Sequence, residues 1–153
     1  MIRRATAADA EPLARMRLAF RSEAGSLEED AAAFLSRCVA WMARRLAAES
    51  SWRAWVAVEG DTVVATIWLQ LIEKLPNPVG EAERHGYVSS LFVVPECRDQ
   101  GLGTALLREA LADCDRNGVD AVVLWPTPRS RPLYERHGFA VRDDLLERRA
   151  GSP

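Results

Sequence analysis

Gly101 and Gly103 lie in Arg98-Asp99-Gln100-Gly101-Leu102-Gly103, between a strand-like run from Tyr87 to Val94, closed by Pro95, and a long amphipathic stretch. Glycines at a strand-to-helix junction let backbone N–H groups converge on an anion, most often a phosphate. The first four N–H groups of the helix lack intrahelical partners, and its macrodipole adds about half a positive charge, which suits a pyrophosphate. Neither glycine has a Cβ to obstruct that approach. An ordinary tight turn would use the same two residues, so the surrounding sequence has to decide. A dinucleotide-binding fingerprint needs glycine or alanine where Leu106 stands, and a nucleotide P-loop needs a lysine after Gly103, where this chain has Thr104.

The elements that must hold these residues follow from periodicity. Leu102, Leu106, Leu107, Ala110, Leu111 and Cys114 make one apolar stripe opposite Arg108, Glu109, Asp113 and Arg116, which predicts a helix that stops at Asn117-Gly118. Ile2 to Ala5 reads as a short first strand. A helix to about Arg21 follows, capped by Thr6 or Asp9, with Pro12 tolerated in its first turns. Ser26-Leu27-Glu28-Glu29 reads as a capping box before a second helix carrying Phe34, Leu35, Cys38, Trp41, Met42 and Leu46 on its core face. Arg53 to Val58 and Thr62 to Ile72, joined at Glu59-Gly60-Asp61, predict a hairpin.

Leu75 to Arg84, with Pro76, Pro78 and Gly80, is the longest loop, suited either to substrate contacts or to plain solvation. Ala121 to Trp125 reads as a buried strand. A helix opened by Thr127-Pro128 or by Ser130-Arg131-Pro132 comes next, and Phe139 to Arg142 can form a last strand. The order β-α-α-β-β-β-α-β-α-β is that of a mixed α/β sheet, and no repeat or linker divides residues 1–153.

Arg/Gln-x-x-Gly-x-Gly after Leu91-Phe92-Val93-Val94-Pro95 resembles the coenzyme A signature of GNAT-type N-acetyltransferases. Leu133-Tyr134-Glu135-Arg136-His137-Gly138-Phe139 is similar to the Leu-Tyr-x-x-x-Gly-Phe segment of the same family. The resemblance covers nearly the whole chain and implies a single N-acetyltransferase domain over 1–153, with a GNAT-like acyl-CoA N-acyltransferase fold and acetyl-CoA as co-substrate. In such a fold Leu91, Phe92 and Val93 hold the pantetheine arm through their backbone, with the Val93 N–H facing the thioester oxygen. Asp99, Gln100, Gly101, Leu102, Gly103 and Thr104 wrap the pyrophosphate, and Arg98 stands at the head of the signature. Tyr134 is then the catalytic candidate, a hydrogen-bond or proton donor to the departing sulfur. The chain departs from the family at Thr127 and Ser130, where asparagine and alanine are frequent. Thr127 can still offer a hydroxyl to the cofactor arm.

An alkyl amine is about one part in a thousand neutral at pH 7, so a base would help. Glu73 at the end of the third strand, His85 before the motif strand, or water could serve. Glu81, Glu83 and Glu23 are further options, and each equally suits a solvated surface. His137 reads as a capping or surface residue. Trp41, Trp52, Trp55 and Trp68 could line an apolar acceptor pocket or pack in the core.

A net charge of −2 with mixed signs excludes a basic nucleic-acid footprint. Cys38, Cys97 and Cys114 lack metal-ligand spacing and read as free thiols of a cytoplasmic protein with no metal. The start of the sequence does not read as a signal peptide, and the apolar run Val63 to Ile72 is too short for a bilayer. Partners are therefore a small-molecule or peptide amine, without nucleic acid or membrane. An exposed strand edge would permit a homodimer, though nothing in the sequence demands one. The alternative to an enzyme is an acyl-CoA-binding sensor or partner subunit without turnover. An unrelated α/β domain with a fortuitous glycine turn would show no coenzyme A affinity.

Overall fold

Two long antiparallel strands rich in β-branched and aromatic residues are buried on both faces over most of their length, and the Glu59-Gly60-Asp61 turn joins them with Gly60 in the left-handed region at φ 56°. A computed structural model describes residues 1–25, 27–47 and 49–151. In chain order the elements are β1 (Ile2–Arg4), a 3-10 turn (Ala7–Asp9), α1 (Ala10–Ala24), α2 (Ala31–Ala47), β2 (Trp52–Glu59), β3 (Thr62–Glu73) and β4 (Arg84–Val93). A second 3-10 turn (Pro95–Cys97), α3 (Leu102–Arg116), β5 (Val119–Val123) and α4 (Arg131–Glu135) follow. The strands lie in the order β1-β2-β3-β4-β5. The first four pair antiparallel, and β4 pairs β5 parallel.

Two apolar clusters hold the layers. On one face Leu13 and Ala14 of α1 and Met42 of α2 pack with Ala54, Val56 and Trp68. On the other, Leu106, Leu107, Ala110 and Cys114 of α3 pack with Ile67, Leu69 and Val88. The α3 side also buries an ionic knot. Asp113 accepts hydrogen bonds from Arg53 and from Arg116, the latter at 3.4 Å, and Arg53 also donates to Asn117 at 3.2 Å.

Three expectations change here. Asp30, not Ser26, begins α2, because its carboxylate accepts from the Ala33 N–H at 3.0 Å; Ser26 itself lies outside the described residues. Trp55 packs on the α3 face, away from Trp52 and Trp68, since an odd spacing along β2 turns it to the opposite side. Phe139 to Arg142 form no strand. Only Phe139 turns inward, with its ring centroid 5.6 Å from that of Tyr134, while Val141 is 79% exposed and Arg142 pairs locally with Asp144. One inward side chain is too little to hold a strand, so the described sheet ends at β5 and leaves its outer edge unpaired.

The first turn carries a pH-dependent tie. Arg3 donates to both Asp9 oxygens at 2.9 and 2.7 Å, and the Thr6 N–H donates to Asp9 Oδ2 at 2.8 Å. Arg3 and Thr6 together hold the carboxyl down to about 2 against an ordinary 3.8. A folded value below the unfolded one gives stability that is present above the unfolded value and is lost as pH falls toward 2. Because Arg3 is partly exposed and screened, the expected contribution is about 1–2 kcal/mol. Urea melts between pH 5 and pH 2 should show this loss in the parent protein and not in Asp9→Asn.

Candidate active site

β4 and β5 run together only from Arg84 opposite Val119 to Tyr87 opposite Val123. There they part, and the rings of Tyr87 and Trp125 meet edge-on at the fork, 5.4 Å between centroids. Beyond the fork β4 keeps β3 on one edge and has no strand on the other. The Val94 N–H donates to the Val64 carbonyl at 3.0 Å, so strand alternation turns the Val93 peptide groups to the open edge. The Val93 carbonyl accepts from Arg98 Nε at 2.9 Å, and Arg98 Nη2 reaches Glu23 at 2.6 and 2.8 Å. Arg98 thus ties the end of β4 to the end of α1, with its guanidinium over Phe92 at 5.7 Å.

The chain then makes a cradle. Asp99 and Gly101 are both left-handed, at φ 61° and 80°, and Gly101 is the residue from which α3 begins. A Cβ added at Gly101 would meet nothing within 4 Å, and one at Gly103 would come 3.5 Å from Leu133 Cδ2. The resulting cavity of about 590 Å³ is lined by Leu91, Phe92, Val93, Arg98, Asp99, Gly101, Gly103, Thr104 and Thr127. Of the residues expected to form a cofactor site, Gln100 and Leu102 do not line it. Gln100 donates to the Glu96 carbonyl at 3.4 Å, and Leu102 packs against the core. Thr127 sits at the rim, exchanging hydrogen bonds with Ser130: its N–H donates to Ser130 Oγ at 2.9 Å, and the Ser130 N–H donates to Thr127 Oγ1 at 3.2 Å.

Sequence reasoning did not single out Arg129 or Arg136 as site residues. Both line the cavity, and neither has a carboxylate within ion-pair distance among the described residues. The run of arginines from 129 to 136 was the available signal, since anchored cations beside N–H donors suit phosphate groups.

Tyr134 stands apart from this cavity. It backs a second one with Phe139, Leu124 and Trp125 at the outer edge of β5. Burial pushes its phenol up to about 12. Glu73 and His85 lie at the far end of the sheet, where Glu73 pairs with Arg84 and Ile72 with His85. His85 Nδ1 is 3.2 Å from Asp120 Oδ1, and Lys74 bridges Asp120 and Glu81 at 2.5 and 3.1 Å. Six residues of strand separate His85 from Leu91, roughly 20 Å. Neither can deprotonate a nucleophile at the cradle. The 75–84 loop leaves from that same remote end and lines none of the cradle cavity. The carboxylates that do line it are Glu23 and Asp99.

The model of the acetyltransferase (GNAT) family matches residues 16–139, which is most of the chain. The chain belongs to the GNAT acetyltransferase family. A GCN5-related N-acetyltransferase from Ralstonia eutropha is similar over 99% of both chains, at 33% identity and a TM-score of 0.80. A predicted acetyltransferase with acetyl-CoA from Clostridium acetobutylicum shares the fold at 21% identity and a TM-score of 0.82, over 97% of this chain and 95% of that one. Serotonin N-acetyltransferase 2, chloroplastic, from Oryza sativa subsp. japonica is 31% identical over 67 residues, 44% of this chain. That match spans about a third (34%) of the rice protein's length.

Within this GNAT chain the cradle and the open edge of β4 fit acetyl-CoA, because the glycines leave the space that a Cβ would take and the arginines supply countercharge. Among the described residues no group of three or more His, Cys, Asp and Glu is placed to hold a metal, and no helix is long and apolar enough to cross a membrane.

Proposed function

We propose that residues 1–153 form one domain that moves an acetyl group from acetyl-CoA to a primary amine by direct attack. The observation that carries this is the open edge of β4 beside a glycine-lined cradle with two unpaired arginines. Acetyl-CoA supplies a thioester carbonyl and a thiolate leaving group. Arg129 and Arg136 neutralise phosphate charge, the N–H groups of 101–104 donate to the pyrophosphate, and the edge from Leu91 to Val93 orients the arm. The amine nitrogen forms a bond to the thioester carbon and the C–S bond breaks. The amine proton passes to sulfur or to solvent. The Val93 N–H donates to the oxygen as charge grows there, a term worth roughly 3 kcal/mol for one fixed donor. Arg98, by gripping the Val93 carbonyl, fixes the next peptide along and so restrains the Val93 backbone.

A departing thiolate whose thiol form titrates near 8.5 cannot take the proton of a phenol at about 12 without an uphill step of about 5 kcal/mol. The role proposed for Tyr134 is therefore hydrogen-bond donation to the leaving sulfur, which requires the arm to pass beyond the cradle to the Tyr134 side of β5. Tyr134→Phe should lower kcat about tenfold with the KM for acetyl-CoA little changed, in a thiol-release assay. An unaltered kcat would leave Tyr134 as packing against Phe139.

The deciding experiment pairs calorimetric titration of acetyl-CoA with thiol release across a panel of amines. Binding with release on at least one amine supports the transferase. Binding with no release on any amine supports a sensor, and no binding removes both readings. Three free thiols support work in a reducing cytoplasm.

A further inference from the structure

Next to the cradle, on the α1 and α2 face of the sheet, lies another cavity of about 590 Å³. The two meet at an irregularity in β4. Thr66 pairs with Phe92 but Trp68 pairs with Ser89, so Ile67 is opposed by an extra residue, and Ser90 takes the left-handed conformation at φ 51°. Ser89 and Ser90 line this second space while Leu91 to Val93 line the cradle, so the boundary is a single peptide, about 3.8 Å between Cα atoms.

We infer that this cavity takes the acceptor, and that the acceptor is a small primary amine carrying both a bulky apolar or aromatic group and a carboxylate. The inference rests on the transferase reading above and names the substrate class of that site.

The apolar half is built by Trp41, Trp52 and Trp68, whose ring centroids lie 5.3, 5.8 and 6.2 Å apart, with Phe34 beside them. Such a wall suits an aromatic ring, which can add edge-on contacts to simple burial. The polar half is Arg17. Its Nη1 donates to Ser90 Oγ at 2.9 Å, and its guanidinium lies 5.5 Å from the Phe20 ring. Arg37 on the same wall is occupied by Glu29, at 2.9 and 2.5 Å. Arg17 has no carboxylate within ion-pair distance among the described residues, although it is half-buried. A partly desolvated guanidinium without a counter-ion is the natural receptor for a carboxylate, which it can grip at two points.

The same charge works against other acceptors. With Arg37 compensated by Glu29, Arg17 and Arg44 give the cavity its positive charge and disfavour a lysine side chain or a polyamine, which brings a cation and no anion. They also favour the neutral form of an incoming amine, the form that attacks. Between the two cavities Thr66 Oγ1 is buried without a hydrogen-bond partner, in a narrow space shared with Arg17, Ser90 and Phe92.

L-phenylalanine and phenethylamine differ only by the carboxylate and serve as the probes. With acetyl-CoA present, thiol release should show kcat/KM at least about tenfold higher for L-phenylalanine. Arg17→Met should collapse that ratio through the KM for L-phenylalanine, and Arg17→Lys should restore part of it. Without acetyl-CoA, L-phenylalanine should quench the tryptophan emission of the parent protein and not of Arg17→Met. Equal or better use of phenethylamine, a ratio unmoved by Arg17→Met, a preference for a lysine peptide, or the absence of quenching overturns the inference. Any of these with acetyl-CoA still bound in calorimetry leaves the transferase reading standing, whereas an absence of acetyl-CoA binding overturns that reading and with it the inference that rests on it.

Discussion

Gly103→Val should lower acetyl-CoA affinity by about 100-fold, close to 3 kcal/mol, while the protein still folds. A Cβ there meets only Leu133 Cδ2 at 3.5 Å, an ordinary contact, so the first added atom is tolerated. The two methyl groups beyond it have to occupy the space in which a pyrophosphate would approach the N–H groups at the start of α3. Gly103 is helical rather than left-handed, so the substitution adds little backbone strain and separates binding from folding. Calorimetric titration against acetyl-CoA, with a thermal melt of the same sample, checks both halves. Unchanged affinity would mean that the phosphates lie elsewhere.

Asp113→Ala should act in the opposite way, sparing the cradle and weakening the fold. Asp113 is 4% exposed and is the carboxylate to which Arg53 and Arg116 turn, with Arg4 4.0 Å away. Removing it leaves the guanidinium of Arg53, itself mostly buried, without its counter-ion on the α3 side of the sheet. Breaking a buried pair in this way costs about 3–5 kcal/mol, which lowers the melting temperature of a domain this size by roughly 10 °C or more. Arg53→Met in the Asp113→Ala background should recover part of the loss, because the stranded charge is gone. No recovery would indicate that the cost is one of packing rather than electrostatics.

Much of the scaffold could be read from the residues. The Glu59-Gly60-Asp61 hairpin, the two leading helices and the helix after Gly101 follow from local signals: apolar runs rich in β-branched and aromatic residues, 3.6-residue stripes and glycines placed where left-handed turns occur. The cradle was legible because its chemistry is local as well, with donors and glycines within six consecutive residues. Positions set by distant pairing were harder. Glu73 and His85 stand close to the motif strand in chain order, but order does not reveal which end of a strand faces the ligand. The fork after Tyr87 depends on where a parallel neighbour diverges, and nothing in Val88 to Val93 announces that. The place of Tyr134 depends on how much chain follows to cover it, and only Phe139 turns inward. The opposite facing of Trp55 follows from its odd offset to Trp52, which turns the two rings to different sides of β2.

The fork has a thermodynamic corollary. From Val88 to Phe92 one side of a central strand has no strand beside it, and a substrate arm laid along it would supply the rungs the polypeptide omits. A sheet completed by its own reactant is most cohesive when loaded, with a gain that grows as the logarithm of the free ligand concentration over its dissociation constant. Stability differences between variants of this molecule therefore compare like with like only at a fixed degree of saturation, since a weaker binder would masquerade as a weaker fold.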